Sequence, residues 1–217
     1  MGRGKHAERA RGRRTWLVLV AALSLRAGVV RAEAIVRNPS EGDGDFMARA
    51  LGPSVELAKD VVRSTEIAPG KLTLIAFVNI QDAGLVGHLL VERSPGHFEH
   101  VTFQSCESEG AAPELMAVFF ARTSKGRGRD LAVLCRWEQR HAVANGMLYG
   151  AEFYRTEDRG STTVVEPVAE LNKKFKTDNL VHLSEHDKWI QGPRAKFSTV
   201  AEVKRLLTRM GLKQSPQ

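Results

Sequence analysis

The chain has 217 residues, 42% hydrophobic and 26% charged, with a formal net charge of +7 at pH 7. Such basicity ordinarily points to nucleic acid or an anionic membrane surface, but here it is concentrated at one end. Residues 1–34 hold eight Lys or Arg and two Glu, leaving 24 basic and 23 acidic side chains beyond them, so the body of the chain is near neutral and no nucleic-acid partner is expected.

The first element in chain order is an export signal. Arg3, Lys5, Arg9, Arg11, Arg13 and Arg14 precede the apolar run from Trp16 to Leu25, and Ala32 and Ala34 supply the small residues that a signal peptidase accepts. The apolar run has ten residues; at about 1.5 Å each they fall well short of a hydrocarbon core about 30 Å thick. Residues 1–34 therefore read as a cleaved signal, with membrane contact confined to that segment before cleavage. The expected compartment is the periplasm or the extracellular medium. Arg13-Arg14-Thr15-Trp16-Leu17 resembles a twin-arginine signal, and the same residues also suit the general secretory route.

Residues 35–46 carry Asn38-Pro39-Ser40-Glu41-Gly42-Asp43-Gly44-Asp45, turn formers and charge without an apolar period, and predict a linker. The length remaining after residue 34 suits one core better than two, so residues 47–213 are expected to form a single domain. Met47, Leu51, Val55, Ala58 and Val62 recur near helical spacing and predict a helix from Phe46 to Arg63, with Gly52-Pro53 as a break or a start.

From Lys71 onward the pattern changes to short runs rich in Val, Phe and Leu, separated by Gly, Pro or charged turns. Strands are predicted at Leu72–Ile80, Leu85–Arg93, Phe98–Gln104, Leu115–Arg122, Leu131–Trp137, Met147–Tyr154 and Thr162–Val165. Their short joints favour antiparallel neighbours, and Ser94-Pro95-Gly96 makes a hairpin of the second and third. At the other end Thr199 and Glu202 form a capping box, Val200, Val203, Leu206, Leu207 and Met210 form one apolar stripe, and Gly211 stops the helix. The fold class expected is α+β: an antiparallel β-sheet with flanking N- and C-terminal helices on one face.

Cys106 and Cys135 are the only cysteines. In an oxidising compartment they can pair, and the alternative is two small apolar residues in neighbouring strands. Geometry decides between them.

One stretch resembles a known family. Residues 118–134, Val-Phe-Phe-Ala-Arg-Thr-Ser-Lys-Gly-Arg-Gly-Arg-Asp-Leu-Ala-Val-Leu, are similar to a degenerate FG-GAP repeat, in which a strand leads through an acidic loop into a second strand. Asp130 and Leu131 match the end of that loop. The calcium-ligating positions hold Arg122, Ser124 and Gly126 instead, so the resemblance implies strand, loop and strand without calcium.

Candidate chemistry is sparse. His182-Leu183-Ser184-Glu185-His186 matches the inverted zinc-protease signature. On a helix His182 and His186 would bind the metal and Glu185 would activate water. A second pair, His88 and His100, falls on a shared diagonal of the predicted hairpin, within reach of a metal and a carboxylate such as Glu92. Ser124-Lys125-Gly126-Arg127-Gly128-Arg129 reads as a loop tip, since a phosphate loop must lead into a helix N-terminus. No nucleophile elbow or dinucleotide fingerprint is present. Arg136, Glu138, Gln139, Arg140 and His141 read as a polar loop after the Cys135 strand, and Trp137, Tyr149, Phe153 and Tyr154 as core or as the lining of a ligand groove.

These observations predict an exported, non-catalytic protein of binding or envelope-interaction type without a cofactor. Its partner would be a protein or a small molecule. The competing expectation is a small metal-dependent hydrolase using His182, Glu185 and His186.

Overall fold

The computed structural model describes residues 34–125, 129–140, 144–176, 182–185, 188–191 and 195–214. Apart from Ala34, the export segment expected at residues 1–34 lies outside them. The described residues belong to one compact unit, Ala32–Gln217.

Two antiparallel sheets carry the fold. The first has five strands in the order β1-β5-β4-β3-β2: β1 Ile35–Val36, β2 Val62–Ser64, β3 Thr73–Ile80, β4 Gly84–Ser94 and β5 His97–Glu107. The second runs β11-β10-β8-β7-β6, with β9 also paired to β8: β6 Glu114–Ala121, β7 Asp130–Arg140, β8 Ala144–Asp158, β9 Thr163–Pro167, β10 His182–Glu185 and β11 Lys188–Gln191. Three helices complete it: α1 Asp43–Leu51, α2 Ala169–Phe175 and α3 Val200–Arg209.

The α+β class stands as expected, whereas the single sheet does not. Strand β3, between β4 and β2, is buried on both faces. Six consecutive residues of β3, Thr73 to Val78, are buried, a pattern that only a sheet covered on both sides can satisfy. Between the sheets Ile75, Phe77, Leu89 and Phe103 of the first pack with Leu131, Val133, Trp137 and Tyr154 of the second. Outside the first sheet, Phe46 and Met47 of α1 cover Leu74, Leu90 and Phe98. Outside the second, Leu171 and Phe175 of α2 and Val203 and Leu207 of α3 cover Phe119, Leu134 and Phe153. The helices thus lie on opposite outer faces, giving helix, sheet, sheet, helix in section, rather than sharing one face.

Three further corrections have local causes. Residues 35–46 are part of the fold and not a linker, because Ile35 and Val36 pair with Phe98 and His97 and α1 begins at Asp43. The first helix ends at Leu51, where Gly52 adopts φ 110° and Pro53 cannot continue the ladder. Beyond it Leu57 bridges to Val78 and Val62 starts β2, so the apolar spacing there reports an edge of the sheet and not a helical face.

Cys106 and Cys135 form a disulfide with Cα atoms 6.5 Å apart, joining β5 to β7. A bulge delivers the first sulfur. Gly84 pairs with Glu107 and Leu85 with Ser105, so Cys106 is an extra residue, at φ 41°. Away from the disulfide, Arg93 of β4 ties the sheets together by donating to Glu99 of β5, to Asp158 of β8 and, at 2.6 Å, to the Thr163 hydroxyl of β9. At the C-terminal helix the expected capping box is present in both directions.

Candidate functional site

The fifteen-residue strand β8 is longer than either partner on its free edge. β9 pairs with Tyr154 to Asp158, and β10 pairs only with Ala144 and Asn145. Between them the edge is met by α2 and its flanks. Val168 N–H donates to Phe153 O at 2.8 Å, Phe153 N–H donates to Asn172 Oδ1 at 2.8 Å, and Lys176 bridges Gly150. Where the sheet edge is interrupted in this way a cleft opens, and through it residues of the interior reach the surface.

The cleft consists of two adjoining cavities of about 160 and 420 Å³ that share Glu107, Glu152 and Asn172. The indole of Trp137 forms part of the first, and its Nε1–H donates to Glu107 O at 2.9 Å. Gly150 makes room for that ring, since a Cβ there would stand 3.0 Å from it.

Glu152 is the charged centre. It lies on the inward parity of β8 with Leu148, Gly150 and Tyr154, and takes hydrogen bonds from Cys106 N–H at 2.9 Å and Ser105 Oγ at 3.2 Å, with the Tyr154 hydroxyl also against it. Burial, reinforced by the Glu152 charge, pushes the Tyr154 phenol well above its usual range, so it remains a protonated donor. Glu109 pairs with Lys176 at 2.6 Å, and this bond holds the Lys176 ammonium above its ordinary range. Of the charged groups lining the first cavity, three are carboxylates, Glu107, Glu109 and Glu152, and two are ammoniums, Lys173 and Lys176, so its walls carry a net negative charge.

No protein-family model matches this chain. No curated protein and no solved structure matches it either.

The residues singled out in the sequence are distributed unevenly about the cleft. Cys106 lines the second cavity and is joined to Cys135 in a buried disulfide. Trp137 and Tyr149 line it, Tyr154 lines the adjoining cavity, and Phe153 is core beneath α2. The polar loop expected at Arg136–His141 is instead the end of β7, where Arg136 pairs with Glu114 at 2.6 Å and Gln139 donates to Glu109 O at 2.7 Å; His141 lies outside the described residues. His182 and Glu185 belong to strand β10, so the helical face that the zinc signature requires is not formed there, and His186 lies outside the described residues. His88 and His100 do meet, on the outer face of the first sheet, with Nδ1 and Nε2 3.0 Å apart.

Glu107, Glu109, Glu152, Asn172 and Lys176 were not legible as a group. Glu152 alone left a signal: a charge at an inward position of an apolar strand, which has to find donors. The others meet only through the tertiary fold.

Proposed function

We propose that this chain is an exported, non-catalytic binding protein, and that its ligand is a small molecule with a cationic or hydrogen-bond-donating head and a flat apolar body. The reading is carried by one observation: Glu152, a carboxylate at an inward strand position, faces a cleft walled by the Trp137 indole. An acidic, partly desolvated wall favours a cation, and an indole face favours a planar apolar or cationic group. Binding is favoured over catalysis because the hydroxyl beside the carboxylate, Ser105, is 1% exposed and has no imidazole partner among the described hydrogen bonds. An export segment at residues 1–34 and a cystine at Cys106–Cys135 fit an oxidising compartment.

Benzamidine is a suitable probe, being flat and cationic, with benzoate as its charge-reversed counterpart. In ¹⁵N-resolved NMR spectra of the mature chain, benzamidine is expected to shift the Trp137 indole N–H and the amides of Gly150, Glu152 and Asn172. Benzoate is expected to leave them in place. Equal shifts with both compounds, or none with either, would remove the cation-binding reading, and Glu152→Gln is expected to weaken benzamidine binding.

A further inference from the structure

His88 of β4 and His100 of β5 lie diagonally across the hairpin, since His88 is opposite Thr102 and Leu90 is opposite His100. Their rings are stacked, with centroids 5.2 Å apart and planes 19° from parallel, and His88 Nδ1 faces His100 Nε2 at 3.0 Å. Both side chains are half-buried, so one side of the pair remains open to solvent. The flanking residues in register are Ala76 on β3, Leu90 on β4 and Thr102 on β5, none of them charged. Among the described residues no third His, Cys, Asp or Glu completes a metal-binding cluster.

We propose that His88 and His100 form a two-imidazole chelate for a tetragonal divalent ion, Cu(II), with water in the remaining positions. The 3.0 Å between the facing nitrogens is that of their mutual hydrogen bond, and it already brings the two donors to within a few tenths of an ångström of the roughly 2.9 Å that cis ligands span at metal–nitrogen bonds of about 2.05 Å. The choice of ion rests on affinity. Cu(II) binds nitrogen donors more tightly than the other divalent first-row ions. Both rings are placed as neutral ligands, because burial holds each imidazole below its ordinary pKa. In the metal-free pair one facing nitrogen carries the hydrogen that the other accepts. Binding moves that hydrogen to the far nitrogen of its own ring, which faces away from the ion, so both facing lone pairs become available and no proton need leave the pair. The sheet supplies the preorganisation: the diagonal register fixes both rings on one face before the ion arrives.

The test is paramagnetic broadening in ¹⁵N-resolved spectra of the mature protein on adding substoichiometric Cu(II). Loss of signals is expected around Ala76, His88, His100 and Thr102, and equimolar Zn(II) is expected to compete poorly. His88→Ala and His100→Gln, each with an otherwise unchanged spectrum, are expected to abolish the broadening at these positions. His97→Ala, at the exposed start of β5, is expected to leave it intact. Wild-type signals around the pair that survive copper would overturn the proposal, as would broadening that persists in the His88→Ala, His100→Gln double variant.

Discussion

Cys106 and Cys135 join the two sheets of the sandwich, and the peptide N–H of Cys106 donates to Glu152, so the covalent link and the charged centre of the cleft share one residue. A bridge that closes a separation of 29 residues contributes about 3 to 4 kcal/mol by restricting the unfolded chain. Cys106→Ala with Cys135→Ala is expected to lower the urea midpoint by a corresponding amount and to steepen the transition, because a less restricted unfolded chain exposes more surface. Both sulfurs are fully buried. Dithiothreitol under native conditions is therefore expected to leave the bridge intact, as thiol titration of the folded protein would report.

Gly84 stands at φ 103° opposite the bulge, and a Cβ there would lie 2.3 Å from Cys106 O. That neighbour is backbone and cannot turn aside. Gly84→Ala is expected to cost more than about 2 kcal/mol through overpacking and backbone strain. Gly160 has a comparable φ, 81°, in open space, so Gly160→Ala is expected to cost only about 1 kcal/mol. Equal losses in chemical denaturation would show that steric room at the bulge is not what Gly84 provides.

Acid is expected to weaken the fold through the histidine pair. Burial, aided by the nearby His100 charge, lowers the His88 pKa from 6.5 to about 4. Between those two values the unfolded chain binds more protons than the folded one, so stability is complete above about pH 6.5 and falls as pH drops toward 4. Because the rings are half open to water, the loss is put at about 1 to 2 kcal/mol rather than the full linkage value. His88→Leu is expected to flatten this part of the stability profile, and an unchanged slope would assign the acid sensitivity to other groups.

Arg93 holds Glu99, Asp158 and Thr163 from both sheets, with its side chain only 17% exposed. Arg93→Ala removes the cation shared by Glu99 and Asp158, and only Asp158 keeps a second one, Lys71 at 3.0 Å. A loss of about 2 to 4 kcal/mol is expected, and added salt is expected to reduce it by less than it reduces the loss at an exposed pair such as Arg159 with Glu157, because partly buried charges are screened less. Thermal unfolding of the two single variants at low and high salt separates the cases.

At the C-terminal end, Thr199→Ala removes one half of the capping box and is expected to cost about 1 kcal/mol. Thr199→Ser keeps the hydroxyl and should recover most of that loss in the same thermal scan.

Strand positions were legible because short apolar runs rich in Val, Phe and Leu, bounded by Gly, Pro or charge, have few other solutions. The runs at Leu72–Ile80 and Leu85–Arg93 reappear as Thr73–Ile80 and Gly84–Ser94. The C-terminal helix was equally plain, since a capping box, an apolar stripe and a terminal Gly coincide over a dozen residues or so. α2 was missed, being only seven residues long and held to β8 by Leu171 and Phe175 and by the Asn172 side chain rather than by its own propensity.

What the sequence determined by itself is local: where the chain is extended, where it coils, where it turns, and that near-neutral charge follows a basic first 34 residues. How many sheets those strands make is not local. A strand with two apolar faces can lie in one thick layer or two, and only the packing of Phe77 and Phe103 against Tyr154 and Trp137 separates the two sheets. The same holds for the candidate sites. Glu152 meets Cys106, and His88 meets His100, through strand register and the Cys106 bulge, which are set by contacts between residues far apart in the chain.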